Sequence, residues 1–183
     1  MTTTELAVEF IHRFGAEIET EDTFGQLSVD VPAGLWLEAL EFARDGLGCE
    51  FFDWLTGVDE LDEGFRIVVH VYSLERRHHV LLRTLVSREE PVLPSAVGVY
   101  RGANWHERET FEMFGVVFEG HPDLKPLLLP DGFEGHPLRK DFVLAARVAK
   151  AWPGAKEPGE GGGAPSRRKN LPPGVPTGWG PHA

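Results

Sequence analysis

The chain has 183 residues, 42% of them hydrophobic, and a formal net charge of −11. That is enough apolar content for one real core plus an appendage, and an acidic balance that argues against nucleic acid as a partner. The single cysteine, Cys49, excludes an intrachain disulfide framework and a cysteine-ligated iron–sulfur cluster, which needs several thiolates.

The first residues, Met-Thr-Thr-Thr-Glu, form neither a basic n-region nor an apolar h-region, and the apolar runs are too short to span a bilayer. A soluble, intracellular chain without a transmembrane segment is therefore expected. Thr4 is placed to cap a helix through Phe14, whose Leu6, Phe10 and Phe14 recur at i+4, and Gly15 ends it. Residues 17–20 and 26–31 read as a strand pair turning at Phe24-Gly25, with Leu27, Val29 and Val31 alternating against Ser28 and Asp30. Pro32 opens a second helix to about Gly46, with Trp36, Leu40, Ala43 and Leu47 as its core stripe.

Three strands follow. Phe51 to Val58 is the first; Phe65, Ile67, Val69 and Val71 alternate along the second, and Val80, Leu82, Thr84 and Val86 along the third. Short links favour antiparallel neighbours, and His78-His79 reads as a solvated turn. Pro91 and Pro94 close this meander. Ala103 to Phe114 contains no Gly or Pro and predicts a third helix, capped by Gly115. The order α-β-β-α-β-β-β-α predicts an α+β two-layer domain with a mostly antiparallel or mixed sheet. No glycine-rich phosphate loop follows a strand, which excludes a Rossmann unit.

The third helix interleaves acids with aromatics. Glu107 and Glu109 point to nearly opposite faces, Phe111 and Phe114 share a face with Glu107, and Arg108 can reach Glu112 at i+4. Such mixed faces predict protein contacts on more than one side. Downstream, Gly120-His121-Pro122 recurs as Gly135-His136-Pro137, and Pro126, Pro130 and Pro137 forbid one long helix or a central strand. The same segment carries many leucines, so it must bury itself on its own domain or on a partner. Residues 150–183 hold five basic and two acidic side chains, a charge of +3 against −14 for the rest. Their Gly/Pro-rich composition cannot pack a core, and Trp152 and Trp179 are their candidate anchors on a partner. The predicted division is thus an α+β core over 1–117, an extended partner-docking segment over 118–149, and a basic tail over 150–183.

Residues Ala103-Asn104-Trp105, Glu107-Arg108-Glu109, Met113-Phe114-Gly115, Gly120-His121-Pro122-Asp123-Leu124 and Gly135-His136-Pro137-Leu138-Arg139-Lys140-Asp141-Phe142 carry a further signal. In order and spacing this set closely resembles the signature of the C-subunit family of proton-pumping NADH–quinone oxidoreductase, respiratory complex I. Glu112 departs from the pattern, where Asp is expected; the charge is kept. The resemblance implies a subunit with no flavin, iron–sulfur cluster or quinone of its own. FMN, the iron–sulfur clusters and quinone belong to partner subunits. It implies packing on the D-subunit, which carries the quinone site, near the B-subunit and the iron–sulfur subunits, peripherally on the cytoplasmic side of the membrane. It makes Trp105, Glu107, Arg108, Glu109, Phe114, Gly115, His121, Pro122, His136, Pro137, Arg139, Lys140 and Asp141 interface or signature residues, with no catalytic, cofactor or metal residue among them.

Two other readings compete. One is the equivalent subunit of a related membrane hydrogenase or of a complex using another electron donor. The other is a freestanding metal enzyme using His106, Glu109, His121 and His136. His106 and Glu109 do share a helix face, yet the sequence has no His-Glu-x-x-His and no repeated Glu-x-x-His. The simpler role for His121 and His136 is to hold bends before prolines through backbone or carboxylate bonds. Glu107 and Glu109 diverge, which makes pairing with arginines, here or on a partner, the simpler reading than an acid–base dyad.

Overall fold

Thr2, not Thr4, starts the first helix. Its hydroxyl accepts the Glu5 N–H at 3.2 Å while the Glu5 carboxylate accepts the Thr2 N–H at 2.8 Å, a reciprocal capping box that Thr4 has no partner to match. The structure, a computed structural model, describes residues 1–143; the reading of 150–183 as a docking tail, with Trp152 and Trp179, lies outside the described residues.

Helix α1 spans Thr3–Phe14 and ends at Gly15, whose φ of 65° suits glycine. A short 3₁₀ turn over Gly15–Glu17 delays the next strand, so β1 runs Glu19–Thr23 rather than from residue 17. Strand β2 (Gln26–Asp30) returns antiparallel through the predicted Phe24-Gly25 turn. Helix α2 (Trp36–Glu41) continues as a π-turn over Phe42–Gly46, and Trp36, Leu40, Ala43 and Leu47 are all buried. Strands β3 (Phe51–Asp59), β4 (Phe65–Ser73) and β5 (His78–Val86) form the antiparallel meander that their alternation predicts.

The main sheet is mixed, in the order β1-β2-β5-β4-β3, because β2 pairs with β5 in parallel. Leu55, Val69, Leu82 and Val29 lie in register across it on the helix-covered face, and all are buried. Burying a side chain of this size stabilises by roughly 1.5–3 kcal/mol before entropy is counted. This is the α+β two-layer domain expected. Two short strands went unseen in the sequence: β6 (Val92–Pro94) and β7 (Val117–Glu119) pair in parallel on either side of helix α3 (Ala103–Phe114). Three residues and a proline are too little to show alternation.

His78 is not in a solvated turn. It is 3% exposed at the start of β5, and its Nε2 faces the Leu47 carbonyl at 3.0 Å. Among the described residues no helix packs on the opposite face of the sheet. There Asp53, His70 and His79 form a hydrogen-bonded chain, 2.9 Å at each step. Beside it Arg66 spans Glu60 and Asp30, and Arg83 spans Glu21 and Asp30.

Candidate functional site

Helix α3 is held tightly on its inner side. A Cβ at Gly57 of β3 would come within 2.9 Å of the Phe114 ring and 3.1 Å of Thr110, so the helix packs directly on β3 backbone. That approach buries Glu107 completely. Its two oxygens accept the Ser95 hydroxyl and the Ala96 N–H, each at 2.6 Å. Among the described residues no cation meets it, contrary to the expected arginine pairing, because β6 and the turn after it close this side first. Burial pushes the carboxyl up to about 7, against the two hydrogen bonds, which favour the anion.

The outer side is built by residues 118–143, which run back along α3. Trp105, Arg108 and Glu112 fall on one helical stripe at i, i+3 and i+7. The expected Arg108–Glu112 ladder pair does not form. Arg108 donates instead to the carbonyls of Lys125 and Pro126, both at 2.9 Å, and lies over the Trp105 ring at 5.2 Å. Glu112 accepts the N–H groups of Leu128 and Leu129, both at 2.8 Å. Prolines remove donors and break ladders, so this segment's remaining polar groups turn to the helix side chains. Burial alone would raise the Glu112 carboxyl; the leucine amides outweigh it and hold the group below its usual range.

The two Gly-His-Pro triplets act as clamps. His121 Nδ1 accepts the Asp123 N–H at 3.0 Å, which leaves Nε2–H to donate to the Asn104 carbonyl at 3.1 Å. His136 Nδ1–H donates to the Glu112 carbonyl at 2.8 Å, one of the last-turn carbonyls of α3 that lack a partner within the helix, while His121 ties the segment to the first turn. Gly115, in the left-handed region at φ 76°, closes the helix. A Cβ there would meet Arg139 Nη2 and His136 Nε2 at 2.5 Å, which accounts for glycine beside both residues. Arg139 Nε donates to the Phe114 carbonyl at 2.6 Å.

The end of the segment is locked to the sheet. Asp59, 3% exposed, accepts from Arg88 at 2.7 Å, from the Lys140 N–H at 2.8 Å and from the Leu61 N–H at 2.8 Å. Burial opposes ionisation here, and these donors overcome it, holding the carboxyl at about 2. Arg88 also pairs with Asp141 at 2.9 Å. The Arg88 and Arg139 guanidiniums both lie against the Phe65 ring, at 5.0 and 4.9 Å. Sequence reasoning missed Asp59, Arg88 and Phe65. Asp59 had a signal: it takes an inward position in register with Leu55 and Gly57.

The proposed metal ligands do not converge. His106 Nδ1 faces the Leu55 carbonyl at 3.1 Å, Glu109 is exposed, and His121 and His136 are spent on backbone. Among the described residues no three His, Cys, Asp or Glu side chains are grouped to hold a metal ion. The region leaves large apolar side chains exposed, Trp105 at 59%, Leu128 at 62%, Leu138 at 54% and Phe133 at 42%, among charged ones such as Glu109, Lys125, Asp131 and Glu134. Between α3 and residues 126–136 lies a groove of about 280 Å³, lined by Phe111, Glu112, Leu129 and Phe133. This arrangement fixes a surface.

Residues 29–148 match the family model described as respiratory-chain NADH dehydrogenase, 30 kDa subunit. The chain is 45% identical over 126 residues to the C-subunit of an NADH-quinone oxidoreductase from Roseiflexus castenholzii, covering 67% of this chain and 72% of that protein. It is 41% identical over 149 residues to the C-subunit from Rhizobium rhizogenes, covering 79% and 74%. Among solved structures, a trypsin-resistant fragment (1-134) of Nqo5 matches at 30% identity and a TM-score of 0.59, over 67% of this chain and 99% of the fragment. A chain of the membrane-bound sulfane sulfur reductase, an archaeal respiratory membrane complex, matches at 25% identity and a TM-score of 0.68, over 80% and 89%.

Proposed function

The chain belongs to the family of the 30 kDa subunit of respiratory-chain NADH dehydrogenase, the C-subunit family of NADH-quinone oxidoreductase, and from that premise we propose that it is a scaffold subunit without a catalytic site of its own. In this reading it packs on the D-subunit, which carries the quinone site, near the B-subunit and the iron–sulfur subunits, on the cytoplasmic side of the membrane. Electrons pass from NADH through FMN and iron–sulfur clusters to quinone in those neighbours, and this chain holds none of these groups. No helix among the described residues is long and apolar enough to cross a membrane.

One observation carries the proposal. The signature side chains Arg108, His121, His136 and Arg139 donate into the chain's own backbone, and Glu112 accepts from it. They thereby hold Trp105, Leu128, Phe133 and Leu138 outward along one side of α3. A preformed apolar surface binds without the entropy cost of ordering it. A second reading, the equivalent subunit of a related membrane complex, is favoured by the match to the sulfane sulfur reductase chain. Affinity purification of the tagged chain from native membranes separates the two. Co-purification of the NADH- and FMN-binding subunits is the expected result; a complex lacking them supports the second reading, and no co-purifying subunit overturns both.

A further inference from the structure

The hairpin joining β1 and β2 ends in the two-residue turn Phe24-Gly25, between the paired residues Thr23 and Gln26. Both turn residues have positive φ, 55° for Phe24 and 79° for Gly25. Such turns favour Asn-Gly, because asparagine tolerates the left-handed region and a bulky side chain does not. Phe24 is nevertheless there, and its side chain is fully exposed at 104%. The Asp22 carboxylate accepts the Gly25 N–H at 3.0 Å, so the turn is fixed rather than loose. An aromatic ring that contributes no packing, on a backbone that disfavours it, is explained by contact with something else.

The charge around it says what that something is. Residues 15–31 contain five acidic side chains, Glu17, Glu19, Glu21, Asp22 and Asp30, and no Lys, Arg or His. Within the sheet only Glu21 and Asp30 are paired with arginines; Glu17 and Glu19 are exposed. Behind the tip lies a concavity of about 510 Å³, lined among others by Glu21, Gln26, His79, Leu81 and Arg83, whose guanidinium is already paired with Glu21 and Asp30. Strand β1 forms one edge of the sheet and β3, on which α3 packs, forms the other. Four strand spacings put them roughly 19 Å apart.

We infer that this hairpin is a second docking element: Phe24 seats in an apolar socket rimmed by Lys or Arg on a neighbouring subunit, distinct from the one on α3. The chain thereby bridges two neighbours. An anionic lipid surface fits less well, since the acidic strand repels it. The inference rests on the reading of this chain as a subunit of a larger complex.

The test uses the intact complex carrying the tagged full-length chain, with a benzophenone analogue of phenylalanine placed at position 24 or at position 105. Light should link position 24 to one subunit and position 105 to another. A linked peptide rich in Lys or Arg is expected at position 24. Phe24→Asn should raise the melting temperature of the isolated chain by about 2–4 °C, because it relieves the turn. The same variant should cut retention of the chain in the complex after a salt wash by about tenfold, as for a buried aromatic anchor. Links from both positions to the same subunit, a link from position 24 to lipid, or full retention of Phe24→Asn would each overturn the inference. Failure of the wild-type chain to co-purify with any respiratory subunit is a different result, and removes the reading beneath it.

Discussion

Helix α3 buries one carboxylate on each side, and the two sides treat it oppositely. Glu107, on the inner side, meets one hydroxyl and one amide and is pushed up to about 7 by burial. Glu112, on the outer side, lies under a thinner layer of partly exposed residues, and the leucine amides, with Arg108 nearby, keep it below its usual range. The difference lies in depth and in the kind of donor: both accept two hydrogen bonds, but only Glu107 is closed off completely. The inner side was closed by regular structure, whose N–H groups are already paired. The outer side was closed by a proline-broken segment, whose free N–H groups need an acceptor. A charged side chain is therefore a strain on the inner seam and a fastener on the outer one.

The largest effect is expected from Glu112→Ala, which takes the acceptor from the part-buried N–H groups of Leu128 and Leu129. Each is a charge-assisted bond, and the loss should be about 3 kcal/mol in urea unfolding, with faster hydrogen exchange confined to residues 126–136. A uniform loss of protection would show that the segment is not a separate layer. Glu107→Gln comes next, through pH. A carboxyl raised to about 7 when folded, from 4.5, contributes stability that is complete below about 4.5 and lost as pH rises through about 7. Relative to the Gln variant, wild type should lose up to about 1.4 kcal/mol per pH unit across that window. The comparison with the variant matters, because His78 and His79, lowered by burial, act in the other sense and destabilise as pH falls. Parallel pH profiles for the two proteins would contradict the raised carboxyl.

Asp59 sharpens the contrast at the acid end. Held at about 2 against an ordinary 3.8, it contributes stability present above about 3.8 and lost as pH falls through about 2. Asp59→Asn should remove that acid-side slope and free the turn at 139–141, seen as loss of Lys140 N–H protection. The smallest effect on folding is expected from Trp105→Ala. The ring is 59% exposed and carries the Arg108 guanidinium at 5.2 Å, so stability should fall by less than about 1 kcal/mol.

What the sequence disclosed follows the same division. Strands β3 to β5 announce themselves because one face is dry and the other wet, and α1 because its stripe is regular. The parallel β2–β5 pairing is invisible, since register between distant strands leaves no local trace. Arg108 and Glu112 were legible as a pair of charges and not as two separate fasteners, because helix geometry predicts neighbours within a helix and says nothing of a segment that arrives later with unpaired carbonyls and amides. Phe24-Gly25 was readable as a turn; that its ring stands wholly in solvent was not.

Helix α3 and residues 118–143 spend Arg108, Glu112, His121, His136 and Arg139 internally and so hold exposed apolar anchors, Trp105 and Leu128 among them, ready for a partner. The direct measurement is a double variant, Trp105→Ala with Leu128→Ala, followed in two assays. Melting and hydrogen exchange of the isolated chain should match wild type closely, while NADH–quinone activity and recovery of partner subunits on the tagged chain should fall by tenfold or more, on the order of a lost interface anchor. A chain that melts normally and a complex that assembles with full activity would contradict the account.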